Sequence, residues 1–102
     1  MDEGFAKADH IREDVFCYEG NTHLAMEEHS STAAYVGDQL TLWSSTQTPH
    51  YVHRALSKVL DLPMGHIRVV AAPMGGGFGG KCDPFSHEIV VCKLAMLTGR
   101  PV

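Results

Sequence analysis

Pro73 to Phe85 read "PMGGGFGGKCDPF", and five of the six residues from Gly75 to Gly80 are glycine. No other stretch limits the possible folds as strongly. A glycine in regular structure costs about 0.5–1 kcal/mol relative to alanine because the unfolded chain loses more freedom on ordering. One or two would let a helix approach a sheet. A run this dense makes most sense where successive backbone N–H groups converge on a ligand, as in an anion-binding nest at a helix N-terminus. Ligand binding and close packing both remain open on these grounds, and the repetition favours the first.

Two nucleotide motifs can be read into the run, and both fail in detail. Gly75-x4-Gly80-Lys81 resembles a phosphate-binding P-loop, but Cys82 stands where a Ser or Thr should hold Mg²⁺. A soft thiolate is a poor ligand for that hard cation. Phe78 adds bulk inside the loop, and Asp83 would set a negative charge beside any phosphate. Gly75-x-Gly77-x-x-Gly80 matches a dinucleotide fingerprint, which requires an acidic residue about 20 positions further on. Arg100 occupies that place.

The loop sits between a strand and a helix. "HIRVVAAP" before it is rich in β-branched residues, and the apolar run from Phe85 to Leu97 after it predicts a helix over 84–98. Asp83 is placed as the N-cap and Pro84 at N1, with Gly99 as the C′ residue. This helix is apolar almost all round and is predicted to be buried on more than one side. An isolated copy would expose an apolar patch and form a homo-oligomer. Upstream, Thr48 and Pro49 open a second helix, with Val52, Ala55, Leu56 and Val59 on one face until Pro63 stops it.

Towards the N-terminus, "EDVFCYEG" alternates as a strand ending at Gly20-Asn21, and "HLAMEEHSSTAAYVG" runs to a break at Gly37-Asp38. "QLTLWSST" follows with Leu40, Leu42 and Ser44 on one face, pairing with the preceding strand as a hairpin. Trp43 and Met26 are expected in the core. The reading is an α+β fold: a mixed β-sheet with two packed helices, in the order β-β-β-α-β-loop-α. Residues 1–102 are expected to form a single domain. Val102 looks like the first residue of another strand, which suggests a fragment of a larger subunit.

Net charge is −4, against a nucleic-acid partner. No apolar run approaches the about 20 residues of a membrane span. Cys17, Cys82 and Cys92 form no CxxC pair, and the N-terminus lacks a signal-peptide pattern, so reduced thiols and a cytoplasmic setting are expected. His23, Glu27 and His29 share strand parity, and His50 and His53 share a helix face, but both sets read best as ordinary polar residues, so no metal ligands are assigned. Glu27 and Glu28 are adjacent and would point to opposite faces of a strand, which favours a structural role. Cys82 beside Lys81 is a weak candidate for an activated thiol.

"GGGFGGK" after a strand, with "STQTP" about thirty residues upstream, resembles the molybdenum-binding large subunit of the xanthine oxidase family of molybdenum hydroxylases. "YEGNTHLAMEEH", "STQTPHYVHRALSKVL" and "GGGFGGKCDPFSHEIVV" look most like its 4-hydroxybenzoyl-CoA reductase branch. The resemblance runs from about Phe5 to Val102. It implies that Gln47 hydrogen-bonds toward the apical oxygen ligand of molybdenum. It further implies that the backbone at Gly76, Gly77, Phe78 and Gly79 approaches the metal's ligands and the pterin. The implied cofactor is molybdopterin, in bacteria as the cytosine dinucleotide. The implied partners are the rest of the molybdenum subunit and iron–sulfur and flavin subunits. Cys82 replaces the glutamate that contacts purine in the xanthine-oxidising branch, which argues against purine substrates. The family's catalytic glutamate lies in a distant segment, so no catalytic residue is assigned, and the isolated chain is expected to be inactive and to hold no cofactor by itself. The alternative is a small stand-alone interaction or assembly module that keeps the fold without catalysis.

Overall fold

The computed structural model describes residues 1–102. A short helix α1 (Asp2–Ala6) precedes an extended segment that reaches the first strand, β1 (Ser31–Val36). Then follow β2 (Gln39–Ser44), α2 (Pro49–Leu60), a single 3₁₀ turn at Met64–His66, β3 (Ile67–Ala71) and α3 (Ser86–Thr98). The sheet order is β1-β2-β3, with β1–β2 antiparallel and β2–β3 parallel, so the α+β class and the mixed sheet are as expected.

The β1–β2 turn is made by two residues, Gly37 and Asp38, both left-handed at φ 54° and 62°. That conformation matches the strand twist in a two-residue hairpin. It fixes the register Val36↔Gln39 through Ser31↔Ser44. With a side-chain period of two, Leu40, Leu42 and Ser44 then all point to the same face, where each is buried. Helix α2 carries the chain across to β3, pairing Leu40 with Ile67 and Ser44 with Ala71.

Both longer helices cover one face of the sheet. Ala33, Leu40, Leu42 and Ile67 from the strands meet Val52 and Leu56 of α2 and Cys92 and Ala95 of α3. Each fully buried leucine contributes about 1.5–3 kcal/mol from the apolar area withdrawn from water. Asp61 ends α2 in the left-handed conformation, and Gly99 does the same for α3. Val102 exchanges both backbone hydrogen bonds with Ala33, at 2.8 and 2.9 Å, along the outer edge of β1. That is the hydrogen-bond pattern of an antiparallel pair.

Three element-level expectations are corrected. Residues 13–20 form no strand: their backbone finds no partner, and Val15, Phe16 and Tyr18 are exposed. The unpaired arm stretches the molecule to 70 Å and raises its radius of gyration to 21.6 Å, against about 13 Å for a compact chain this long. Helix α3 starts at Ser86 rather than Pro84, because Glu88 Oε2 accepts the Phe85 N–H at 2.9 Å and supplies the cap itself. Met26 and Trp43 are not core residues. Met26 lies on the extended segment, and Trp43 points to the sheet face that no helix covers, 42% exposed.

Candidate functional site

The parallel pairing of β2 with β3 brings the carboxyl ends of both strands to one edge of the sheet. In open sheets with a helical crossover, that edge is where ligands bind. Ala72 N donates to Ser44 O at 3.0 Å just past the ends. Beyond that point β2 continues into Ser45-Thr46-Gln47 and β3 into the glycine loop. The two segments are laced together. Gln47 N donates to Lys81 O at 2.9 Å, Thr46 Oγ1 donates to the same carbonyl at 3.4 Å, and Thr48 Oγ1 donates to Cys82 O. Thr48 does stand at the N-cap of α2, but its hydroxyl serves the loop instead of the helix.

The side chain of Gln47 reaches into the loop. Its Oε1 accepts from Gly79 N at 3.0 Å and from Lys81 N at 3.3 Å. Two backbone donors at one atom identify that atom as the oxygen, so the Nε2 amide is the group left without a partner in the chain. A Cβ on Gly77 would lie 2.8 Å from Gln47 Cδ, so a side chain there would have to displace the Gln47 carboxamide. Gly76 and Gly79 take φ of 114° and 90°, and Phe78 between them is left-handed at φ 51°. A bulky residue held in that region is strained, and such strain concentrates at ligand sites. The Phe78 ring is exposed and folds back over Gly76, where a Cβ would meet it at 3.1 Å.

Lys81 does not extend toward solvent as a P-loop lysine would. Its Nζ is buried and forms an ion pair with Glu27 Oε2 at 2.7 Å. Glu27 Oε2 also accepts the Gly75 N–H at 2.8 Å. The Lys81 hydrogen bond, followed by that of Gly75, holds the Glu27 carboxyl below its ordinary range, against a smaller opposing effect of burial. A depressed carboxyl favours the fold above its unfolded value of 4.5, and the contribution is lost as pH falls through the lowered folded value. The loop also ends five residues before Ser86, so it does not open directly on a helix N-terminus, contrary to the nest reading.

The metal alternatives do not assemble, since no three His, Cys, Asp or Glu side chains come together. Glu27 is engaged by Lys81, and His53 Nε2 lies 3.0 Å from the carbonyls of both Met64 and Ile67. The activated-thiol reading of Cys82 loses its cation, because the Lys81 ammonium is held by Glu27. Cys92 is buried beside Glu88, and burial first, then that charge, pushes its thiol up to about 12. With iodoacetamide at about pH 8, exposed Cys17 should be alkylated as a free thiol and Cys92 only after unfolding. Native-state labelling of Cys92 at the Cys17 rate would refute the packing described here.

The residues that sequence reasoning missed are the partners in two long-range polar contacts. Glu27 meets a lysine 54 residues away. Glu88, 2% exposed, accepts from Ser44 Oγ at 2.5 Å and so ties the end of β2 to the start of α3. An acidic residue in the first turn of an otherwise apolar helix was the available clue.

The pattern of the molybdopterin cofactor-binding domain matches residues 1–102. The chain belongs to that family. This domain is 38% identical over 81 residues to the aldehyde oxidoreductase molybdenum-binding subunit PaoC of Escherichia coli K12, covering 79% of the chain and 11% of that protein. It is 32% identical over 103 residues to the carbon monoxide dehydrogenase large chain of Afipia carboxidovorans, covering 99% of the chain and 13% of that protein. The solved structure of a Cu,Mo-CO dehydrogenase in its carbon monoxide reduced state superposes with a TM-score of 0.81 at 32% identity, over 99% of the chain and 13% of that structure. The chain thus spans 11–13% of the length of these relatives. The similarity places it with the xanthine oxidase-type molybdenum hydroxylases.

The residues fit such a cofactor. The amides of Gly76, Gly77 and Phe78 donate to no group of the chain, although Gly77 is buried. Gly77 is bare where a Cβ would collide, and Gln47 Nε2 is left as a side-chain donor beside those amides. No helix is long and apolar enough to cross a membrane.

Proposed function

We propose that this molybdopterin cofactor-binding domain holds the metal end of the cofactor in a larger molybdenum enzyme. Gln47 Nε2 would donate to the cofactor, and the backbone of Gly76, Gly77, Phe78 and Gly79 would line it. The observation that carries this reading is the double anchoring of Gln47 Oε1 by Gly79 N and Lys81 N, which fixes the free amide beside the unpaired loop donors. When bound, the cofactor supplies two-electron redox chemistry. The chain's own part is to bind and orient. Glu27, the carboxylate that touches the loop, is ion-paired with Lys81, and the domain is read as inactive in isolation.

The finer reading is a 4-hydroxybenzoyl-CoA reductase-like enzyme acting on an aromatic thioester, in the cytoplasm, with the cofactor as the cytosine dinucleotide. Its partners are the remainder of the molybdenum subunit and iron–sulfur and flavin subunits. Cys82 supports a non-purine substrate, since it places a thiol where the purine-oxidising branch has a carboxylate. The test is to purify the full-length expressed protein with its associated subunits. Released nucleotide should be cytidine monophosphate, and turnover should be seen with 4-hydroxybenzoyl-CoA and not with xanthine. Gln47→Leu should lower kcat about 10²–10³-fold, as expected for losing one donor to a charge that develops in the reaction. Preferential xanthine turnover would overturn the substrate assignment, and an unchanged kcat in Gln47→Leu would overturn the role of the glutamine.

A further inference from the structure

We propose that Glu27 is a positioning residue for the glycine loop, closing Gly75–Lys81 into a ring through its ion pair with Lys81. One carboxylate oxygen accepts from the first residue of the loop, Gly75 N at 2.8 Å, and from the side chain of the last, Lys81 Nζ at 2.7 Å. The far side of the ring is held by Gln47, whose oxygen takes Gly79 N and Lys81 N. The free amides of Gly76, Gly77 and Phe78 therefore lie between two fixed points. Without the carboxylate, Gly75 N loses its partner and the Lys81 ammonium keeps only the Glu28 carbonyl, at 3.4 Å.

The segment that carries Glu27 is pressed against the loop along its length. A Cβ on Gly75 would lie 2.9 Å from Glu27 Cβ, and one on Gly80 would lie 2.9 Å from His23 Cγ. A cavity of about 230 Å³ opens between the two, lined by Gly77, Gly80 and Lys81 on one side and Thr22, His23, Glu28 and His29 on the other. Around Glu27, the charged or titratable groups are thus Lys81, His23, Glu28 and His29. Of these only Lys81 is hydrogen-bonded to it, which makes the carboxylate–ammonium pair the fastener.

A merely structural ion pair can be replaced by apolar side chains of similar volume at little or no loss of stability. That separates the two roles. In the full-length protein, Glu27→Leu/Lys81→Met should melt within a few degrees of wild type. Hydrogen–deuterium exchange of peptides spanning Pro73–Lys81, read by mass spectrometry without cofactor, should nonetheless speed up about tenfold, the loss of one net hydrogen bond. Molybdenum content of the loaded protein should fall several-fold alongside. Unchanged loop exchange at an unchanged melting temperature would overturn the proposal. If that variant does not fold, Glu27→Ala replaces it, removing the oxygen that accepts from Gly75 N and Lys81 Nζ, and unchanged exchange there is equally fatal. The proposal rests on the molybdopterin reading only for what the ring presents. A wild-type protein that takes up no molybdenum refutes that reading, and the exchange measurement still decides this one.

Discussion

Gly77→Ala is expected to strip the protein of molybdenum while leaving its fold in place. A methyl group at this position would stand 2.8 Å from Gln47 Cδ. The carboxamide can give way only by releasing Gly79 N and Lys81 N, the two bonds that hold it. Either Gln47 swings out or the loop moves, and in both cases the unpartnered amide and the free backbone donors lose their common geometry. A shift on the order of 1 Å at such a site costs about 100-fold in function. The apolar core cluster includes neither Gly77, Gln47 nor Lys81, so secondary structure and melting temperature should change little. Metal analysis of the purified protein beside a thermal melt reads both effects. Gly65→Ala is the control, because nothing lies within 4 Å of a Cβ there. A Gly77→Ala protein that retains wild-type molybdenum would show that the close approach of Gln47 to the loop is incidental.

The second large effect is on stability. Glu88→Ala should destabilise the fold by about 3 kcal/mol, from a lost side chain and two stranded donors. Glu88 is buried and carries bonds on both oxygens, from Ser44 Oγ at 2.5 Å and Phe85 N at 2.9 Å. Removing it leaves the serine hydroxyl unpaired in the core and α3 without its cap. For a domain of this size the melting temperature should fall by about 10–20 °C. Ser44→Ala alone should cost less, about 1–3 kcal/mol, since the carboxylate keeps the Phe85 amide. The double variant should then be less than additive, because both single changes break the same bond. Additive losses in denaturant melts would mean that Ser44 and Glu88 do not share a hydrogen bond.

These two sites show what the amino-acid sequence discloses and what it does not. Local chemistry made the hairpin at Gly37-Asp38, helix α2 after Thr48-Pro49 and the glycine loop legible, because turn geometry, capping positions and side-chain period are written within a few residues. Gln47 became legible only through resemblance, since nothing in "STQTP" states that its oxygen will accept two amides from a segment over thirty residues later. The Glu27–Lys81 pair was hidden for the same reason of distance. The start of α3 was misplaced by a stronger local signal: Asp83-Pro84 has the form of a cap, but Glu88 reaches back to Phe85 and sets the boundary two residues on. Residues 13–20 carry a strand pattern with no strand to pair with in this chain. Alternation alone does not make a strand, which also needs a neighbour to pair with.

The most direct test of the account is to locate the metal. Crystals of the cofactor-loaded full-length protein, with diffraction recorded at the molybdenum absorption edge, give its position without reference to any assumed chemistry. The geometry predicts an anomalous peak outside the carboxyl ends of β2 and β3, with Gln47 Nε2 within hydrogen-bond reach of one of the metal's oxygen ligands and the Gly76–Gly79 backbone against the others. A peak elsewhere, or one beside the loop with Gln47 turned away from it, would contradict the central claim.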